Sequence, residues 1–231
     1  MEHSEPGPPA PWLGLSLRRR DLVGLVLGLA VLGVVLALVF RGPVSVKAPD
    51  GVAATASGGR YEGLALSRAE TTPPLALDNY LGTPVNIVDY RGRAVLVTFL
   101  YTHCPDVCPL IASHLHTALA EMPAAERRKL QIIAVSVDPR GDTRTAVAQF
   151  LAAHEMTGRM QYLIGSAAAL KTVWKRWGIA DAATASAGDP DLVAHTALVY
   201  GITARGKIAV IYPSNFTPAE IVHDARVLAD A

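Results

Sequence analysis

The sequence has no marked excess of charge, few cysteines and no internal repeats. Its 231 residues carry 21 Lys and Arg against 20 Asp and Glu, a formal net charge of +1. This balance supplies no bulk positive field for nucleic acid and points to no strongly charged partner. Because there are only two cysteines, Cys104 and Cys108, any thiol chemistry depends on that pair. The length suits one globular domain with additional segments.

A stretch without charge near the N-terminus predicts a membrane anchor. Residues 22–40 are apolar throughout, and as a helix they would span about 28 Å, close to the hydrocarbon core of a bilayer. Three arginines, Arg18 to Arg20, precede this stretch and one, Arg41, follows it. We therefore expect a cytoplasmic N-terminus and a translocated domain. A cleaved signal peptide is the alternative, but its apolar region would be shorter.

These features divide the chain into four predicted parts. They are a cytoplasmic tail (1–20), a transmembrane anchor (21–41), a flexible linker of small and polar residues (42–60) and a globular domain (61–231). This arrangement predicts a single-pass protein of the bacterial inner membrane, with the domain on the periplasmic side.

Within the domain, apolar runs alternate with segments of helical spacing. Continuous apolar runs predict strands buried on both faces of a sheet. A turn between two late runs predicts a β-hairpin. The fold class is therefore α/β, a mixed sheet with helices on both faces. The predicted strands are 84–88, 94–101, 130–137, 161–164, 197–202 and 207–212, and the predicted helices are 110–121, 145–154, 166–177 and 218–229.

The two cysteines lie where a buried strand gives way to a helix, in the segment YTHCPDVCP at 101–109. Ligand sites in open α/β sheets favour the carboxyl ends of strands. Amide N–H groups and the helix dipole there lower the pKa of a thiol, which favours the reactive thiolate. The spacing C-x3-C fits either a shared metal ion or a Cys104–Cys108 disulfide. A purely structural disulfide over so short a loop would stabilise little.

Of the seven histidines, His195 is the candidate third ligand. It precedes the strand at 197–202. In a thioredoxin-like sheet the residues just before that strand face the active-site cysteines. A lone histidine is more often a surface residue, so the residues alone leave this assignment open. Soft sulfur together with imidazole is a donor set that suits copper.

At these residues the sequence resembles the Sco/SenC family, thioredoxin-like copper proteins that help assemble the CuA centre of cytochrome c oxidase. The resemblance covers about residues 61–231 and is strongest at 101–109. A second segment, SVDPRGDT at 136–143, and His195 ahead of the hairpin also resemble family motifs. The N-terminal anchor is usual in the family.

The resemblance implies that Cys104, Cys108 and His195 together bind one copper ion per chain, as Cu(I) and also as Cu(II). It further implies that Asp106 and Asp138 shape the site without ligating the metal. Asp138 has an equally plain alternative role, which is to cap the turn into the following helix.

The function implied is a metallochaperone, rather than an enzyme, that hands copper to the CuA-bearing subunit of cytochrome c oxidase. A further periplasmic copper chaperone or a thioredoxin-like reductase would be additional partners. The alternative is a thiol-disulfide oxidoreductase that keeps the CuA cysteines or other partner thiols reduced, with Cys104 attacking and Cys108 resolving. A copper or redox sensor is a third hypothesis.

Overall fold

The computed structural model describes residues 54–55, 59–179 and 197–231. We number its elements in chain order. The strands are β1 (Ala54–Thr55), β2 (Leu64–Thr71), β3 (Ala76–Asn79), β4 (Pro84–Asn86), β5 (Ala94–Leu100), β6 (Leu130–Ser136), β7 (Met160–Ile164), β8 (Leu198–Ile202) and β9 (Lys207–Pro213). The helices are α1 (Val107–Glu121), α2 (Ala124–Arg127), α3 (Arg144–Ala153), α4 (Ala167–Trp177) and α5 (Pro218–Ala229), and a 3-10 helix covers Ile87–Tyr90.

The strands in the described part of the chain form one mixed sheet in the order β1-β2-β9-β8-β5-β6-β7-β3-β4. β5, β6 and β7 are parallel, whereas β8 and β3 flank them antiparallel. β8 and β9 form the predicted hairpin, and Gly206 adopts the positive φ of 71° that its turn requires. Because the parallel strands end at one edge, the loops that follow them meet there.

The centre of the sheet is buried on both faces, as the continuous apolar runs predicted. Every residue of β5 is buried, and its single hydroxyl, on Thr98, donates to the Leu198 carbonyl at 3.0 Å. Successive side chains of β6 point to opposite faces. Ile132 therefore joins one core cluster and Ile133 the other.

Helices cover both faces of this centre. Buried residues of α1, α3 and α5 belong to the first core cluster. Buried residues of α4, among them Trp174 and Trp177, belong to the second. The predicted arrangement, a mixed sheet flanked by helices, is confirmed.

Several elements differ from the expectation. The strand predicted at 84–88 ends at Asn86, where the 3-10 helix Ile87–Tyr90 begins. α1 begins at Val107, not at residue 110, so Cys108 lies inside the helix and Cys104 before it. β2 and β3 were not predicted, because their side chains are mostly exposed and carry little hydrophobic signal. β1 falls inside the predicted linker, 42–60, and pairs with β2.

No helix in the described residues is long and apolar enough to cross a membrane. The predicted anchor, 21–41, lies outside the described residues, as does His195.

Candidate functional site

The two cysteines lie at the edge of the sheet where the parallel strands end. Cys104 follows β5, separated from it by the turn at 101–103, and its N–H donates to the Tyr101 carbonyl at 3.3 Å. Cys108 is the second residue of α1, whose N-cap is Asp106. The cysteines are free thiols, 7% and 4% exposed. They lie beside exposed Pro105 and Asp106, close below the surface.

The sulfur of Cys104 takes part in starting α1. The first N–H groups of a helix have no partner within the helix. The Asp106 side chain accepts no capping hydrogen bond. Instead, the Cys108 N–H donates to Cys104 Sγ, with a nitrogen–sulfur distance of 3.4 Å. Pro109, the third helical residue, has no N–H to satisfy. At the start of α1, the Cys104 sulfur therefore accepts from an N–H to which the Asp106 side chain offers no hydrogen bond.

This environment separates the two thiols. The hydrogen bond from the Cys108 thiol, together with the N–H groups of Asp106 and Cys108, lowers the pKa of Cys104 to about 5 against the effect of burial. The same thiol–thiol hydrogen bond, together with burial, raises the pKa of Cys108 well above its ordinary value. Burial and the neighbouring Cys104 sulfur raise the pKa of Tyr101 to about 12. The pair therefore holds one thiolate and one retained proton at neutral pH.

A buried carboxylate, Asp142, supports the turn that leads to Cys104. It is 4% exposed, and its Oδ1 accepts from the Thr102 N–H at 2.7 Å. Its Oδ2 accepts from the Ser136 hydroxyl at 2.6 Å and from the Tyr162 hydroxyl at 3.0 Å. Burial raises the pKa of Asp142, although these donors oppose the shift.

Sequence reasoning missed the role of Asp142, which does not cap the following helix either. Thr143 is the N-cap of α3, and its side chain accepts from the Ala146 N–H at 3.1 Å. The available signal was position, because Asp142 lies six residues beyond the end of β6, among the loops at the cysteine edge.

Asp138 and Asp106 occupy different settings. Asp138 Oδ1 accepts from the N–H groups of Arg140 and Gly141, at 3.1 and 2.9 Å. This is the turn-capping role that the sequence offered as its alternative. A Cβ on Gly141 would collide with the Asp138 carboxylate, so a side chain there would displace that carboxylate. Asp106 is exposed at the start of α1.

The structure brings Cys104 and Cys108 together and leaves the third expected donor untested. In the described ranges, no group of three or more His, Cys, Asp or Glu side chains is placed to hold a metal ion. The donor chemistry nevertheless fits a soft cation, since thiolates select Cu(I). The same pair, with one thiolate beside one protonated thiol, is also suited to attack a disulfide.

Comparison with known proteins gives a family match. The family model described as SCO1/SenC matches residues 65–230, more than half of the chain. The "Protein SCO1 homolog, mitochondrial" of Mus musculus is 27% identical over 150 residues, which are 64% of this chain and 52% of the mouse protein. The chain spans about half the length of the curated relatives it matches.

Two solved structures share the fold. One is BsSco, a member of the Sco family of cytochrome c oxidase assembly proteins, at 22% identity and a TM-score of 0.59, covering 74% of this chain and 97% of BsSco. The other is Bradyrhizobium japonicum ScoI with copper bound, at 24% identity and a TM-score of 0.53, covering 68% and 99%. At these identities the likeness concerns the fold.

Proposed function

Because this chain belongs to the SCO1/SenC family, we propose that it is a copper metallochaperone that delivers copper to the CuA centre of cytochrome c oxidase. The observation that carries the proposal is the buried Cys104–Cys108 pair, with its lowered Cys104 pKa, at the carboxyl edge of the sheet. Two structural neighbours support it, since ScoI has been solved with copper bound and BsSco belongs to the cytochrome c oxidase assembly proteins.

Copper is held by Cys104, Cys108 and His195 in this proposal. The Cys104 thiolate is the first donor to meet the ion, because it is already deprotonated at neutral pH. Cys108 loses its proton as it binds, so uptake of copper releases a proton. His195 supplies an imidazole, and Cu(I) and Cu(II) both accept this mixture of sulfur and nitrogen.

Delivery proceeds by ligand exchange with the Cys and His groups of the CuA-bearing subunit. A site with three protein donors leaves room for a donor of the acceptor to enter. Residues 21–41 anchor the chain in the bacterial inner membrane, with the domain on the periplasmic side. This places the copper on the side from which the CuA-bearing subunit is reached.

A second function, thiol-disulfide exchange, is favoured by the asymmetry of the pair. A thiol with a pKa of about 5 beside a protonated neighbour is the arrangement of an attacking and a resolving thiol. A disulfide switch has been identified in BsSco. The partner would be a disulfide formed from the CuA cysteines or from other thiols, and the exchange would reduce it to two thiols. Oxidation of Cys104 and Cys108 to a disulfide, with two electrons passing to the partner, removes both sulfur donors.

Copper titration of the full chain in mild detergent tests the proposal. Under reducing, anaerobic conditions and competition with a chromophoric Cu(I) chelator, we expect one tightly bound copper per chain. The double variant Cys104→Ser/Cys108→Ser loses it, and His195→Ala binds it more weakly. His116→Ala is the matched control, because it removes an imidazole that is not expected to ligate copper. His116 lies on α1 beyond Cys108, and its Nδ1 is 3.5 Å from Arg159.

The opposite outcome distinguishes the two functions. If the reduced wild-type chain takes up no copper and instead reduces a disulfide in the CuA-bearing subunit, the chaperone function is wrong and the oxidoreductase holds. In cells, deletion of the chain should abolish CuA assembly, and added copper should restore it. Normal oxidase in the deletion strain without added copper would contradict the chaperone function and would favour exchange with other thiols or a sensor role.

A further inference from the structure

The carboxylate of Asp142 joins three parallel strands at the edge where the cysteines lie. Thr102 follows β5, Ser136 ends β6, and Tyr162 lies in β7. All three donate to the same side chain, at 2.7, 2.6 and 3.0 Å. β5 and β6 also end in register, with Leu100 opposite Ser136. One buried group therefore sets the spacing of the loops that leave these strands.

Of the three hydrogen bonds to Asp142, the one from Thr102 is nearest to the cysteines in sequence. Thr102 is two residues before Cys104, and its backbone N–H is given to Asp142 rather than to another strand. The Cys104 N–H returns to the Tyr101 carbonyl. The turn between β5 and Cys104 is thus held at both ends, by the carboxylate and by its own backbone. The position of Cys104 Sγ depends on that turn, because Cys104 has left β5 and has not yet entered α1.

Resting on the proposed copper function, we infer that Asp142 is a positioning residue for the cysteine pair. It touches neither sulfur in the hydrogen-bond network and acts through Thr102. Partners outside the ligand set commonly change metal affinity 10- to 100-fold when removed, because they orient the ligands. Three donors satisfy the buried Asp142 carboxylate, which makes its geometry specific.

A second buried aspartate provides a matched control for stability. Asp224, on α5, is 0% exposed. Its Oδ2 accepts from the Tyr212 hydroxyl at 2.9 Å and the Gly63 N–H at 3.0 Å, and its Oδ1 accepts from the Glu62 N–H at 2.9 Å. The two sites share a buried carboxylate, a tyrosine hydroxyl and a backbone N–H. Only the Asp142 site includes the turn before Cys104.

The test uses the full chain in mild detergent and compares Asp142→Ala with Asp224→Ala. The measurements are the Cu(I) affinity, the reduction potential of the copper-free cysteine pair in glutathione buffers, and hydrogen exchange of the peptide containing Thr102. We expect Asp142→Ala to weaken copper binding about 10- to 100-fold. It should also shift the potential and speed exchange at Thr102. Asp224→Ala should lower the melting temperature and leave all three at wild-type values.

Two milder variants keep the test decisive if an alanine variant does not fold. Asp142→Asn retains an oxygen that can accept from Thr102 N–H, so it should recover most of the affinity. Tyr162→Phe removes one donor and leaves the Thr102 contact, so exchange at Thr102 should change less than in Asp142→Ala. Tyr212→Phe is its control.

The inference is overturned if Asp142→Ala loses stability yet keeps wild-type affinity and potential. It is also overturned if Asp224→Ala changes both by the same amount, since the effect would then be general destabilisation. Failure of the proposed function is a different result, in which the wild-type chain binds no copper. In that case a potential shifted by Asp142→Ala and unchanged by Asp224→Ala still supports the positioning role.

Discussion

At the scale of single residues, the two buried thiols have pKa values shifted in opposite directions. Cys104 and Cys108 are both nearly inaccessible, and burial alone would raise the pKa of each. The pKa of Cys104 is lowered instead, because its sulfur accepts hydrogen bonds from the Cys108 thiol and from N–H groups at the start of α1. Cys108 donates and stays protonated. Direction of donation, rather than exposure, therefore decides which sulfur carries the charge.

This asymmetry predicts an unusual pH dependence for alkylation of the copper-free, reduced chain. Only the thiolate reacts with iodoacetamide. Since the pKa of Cys104 is lowered to about 5, its rate should rise through about pH 5 and level off near neutrality. An ordinary thiol would rise through about pH 8.5. Peptide mass spectrometry after short exposure should find the label on Cys104.

The variant Cys108→Ala serves as the control for this prediction. It removes the thiol that contributes most to the low pKa, so the midpoint for Cys104 should move upward. A wild-type midpoint near 8.5, or equal labelling of both cysteines at pH 6, would contradict the assignment.

At the scale of elements, α5 has the strongest local start signal in the domain. Thr217 Oγ1 accepts from the Glu220 N–H at 3.4 Å, and Glu220 Oε2 accepts from the Thr217 N–H at 2.7 Å. This capping box is followed by Pro218 at the first helical position. The helix then buries Ile221 and Leu228 against the sheet. The capping box therefore specifies where α5 begins, and the packing of its buried residues specifies where the helix lies on the sheet.

Removal of this cap should cost stability without affecting the cysteine site. Thr217→Ala is expected to lower the free energy of unfolding by about 1 kcal/mol, because the Glu220 N–H loses its side-chain acceptor at the start of α5. Urea unfolding followed by circular dichroism measures the change. Copper binding should be unaltered.

A threonine inside a helix gives the comparison. Thr172, on α4, is exposed and donates to the Ala168 carbonyl within its own helix. Thr172→Ala should leave stability nearly unchanged or raise it slightly, since alanine has the higher helix propensity. Equal losses in both variants would show that the capping box contributes nothing specific.

At the scale of the whole molecule, the described domain is one mixed sheet with its chemistry at a single edge. The carboxyl ends of β5, β6 and β7 bring together the cysteines, Ser136 and Asp142. The proposed anchor would hold this domain at the membrane surface through residues 42–60. A tethered chaperone meets a membrane-embedded acceptor at a high effective concentration.

Membrane fractionation tests the anchor independently of copper. The full chain should sediment with the membrane, resist carbonate extraction and be released by detergent. A chain beginning at residue 59 should stay in the periplasmic soluble fraction when exported. Recovery of the full chain in the soluble fraction would contradict the anchor and leave the copper site unaffected.

Much of the fold was predictable from the sequence because its signals are local. The apolar runs of β5 and β6 and the turn at Gly206 each lie within a few consecutive residues. They predicted the buried strands and the late hairpin, and the structure confirms both. The pair Cys104 and Cys108 was also evident, since these are the only cysteines. The exposed strands β2 and β3 were not predicted, because hydrophobic periodicity is informative only where one face of a strand is buried.

The tertiary structure alone decided how the site is held. The three groups that donate to Asp142 lie 40, 6 and 20 residues away along the chain. No local sequence pattern therefore predicts these contacts. The same is true of the thiols, because the direction of their hydrogen bond depends on where α1 begins. The sequence determined which residues carry the chemistry. Folding determined which sulfur is charged and which carboxylate supports it, because both depend on contacts between segments distant in sequence.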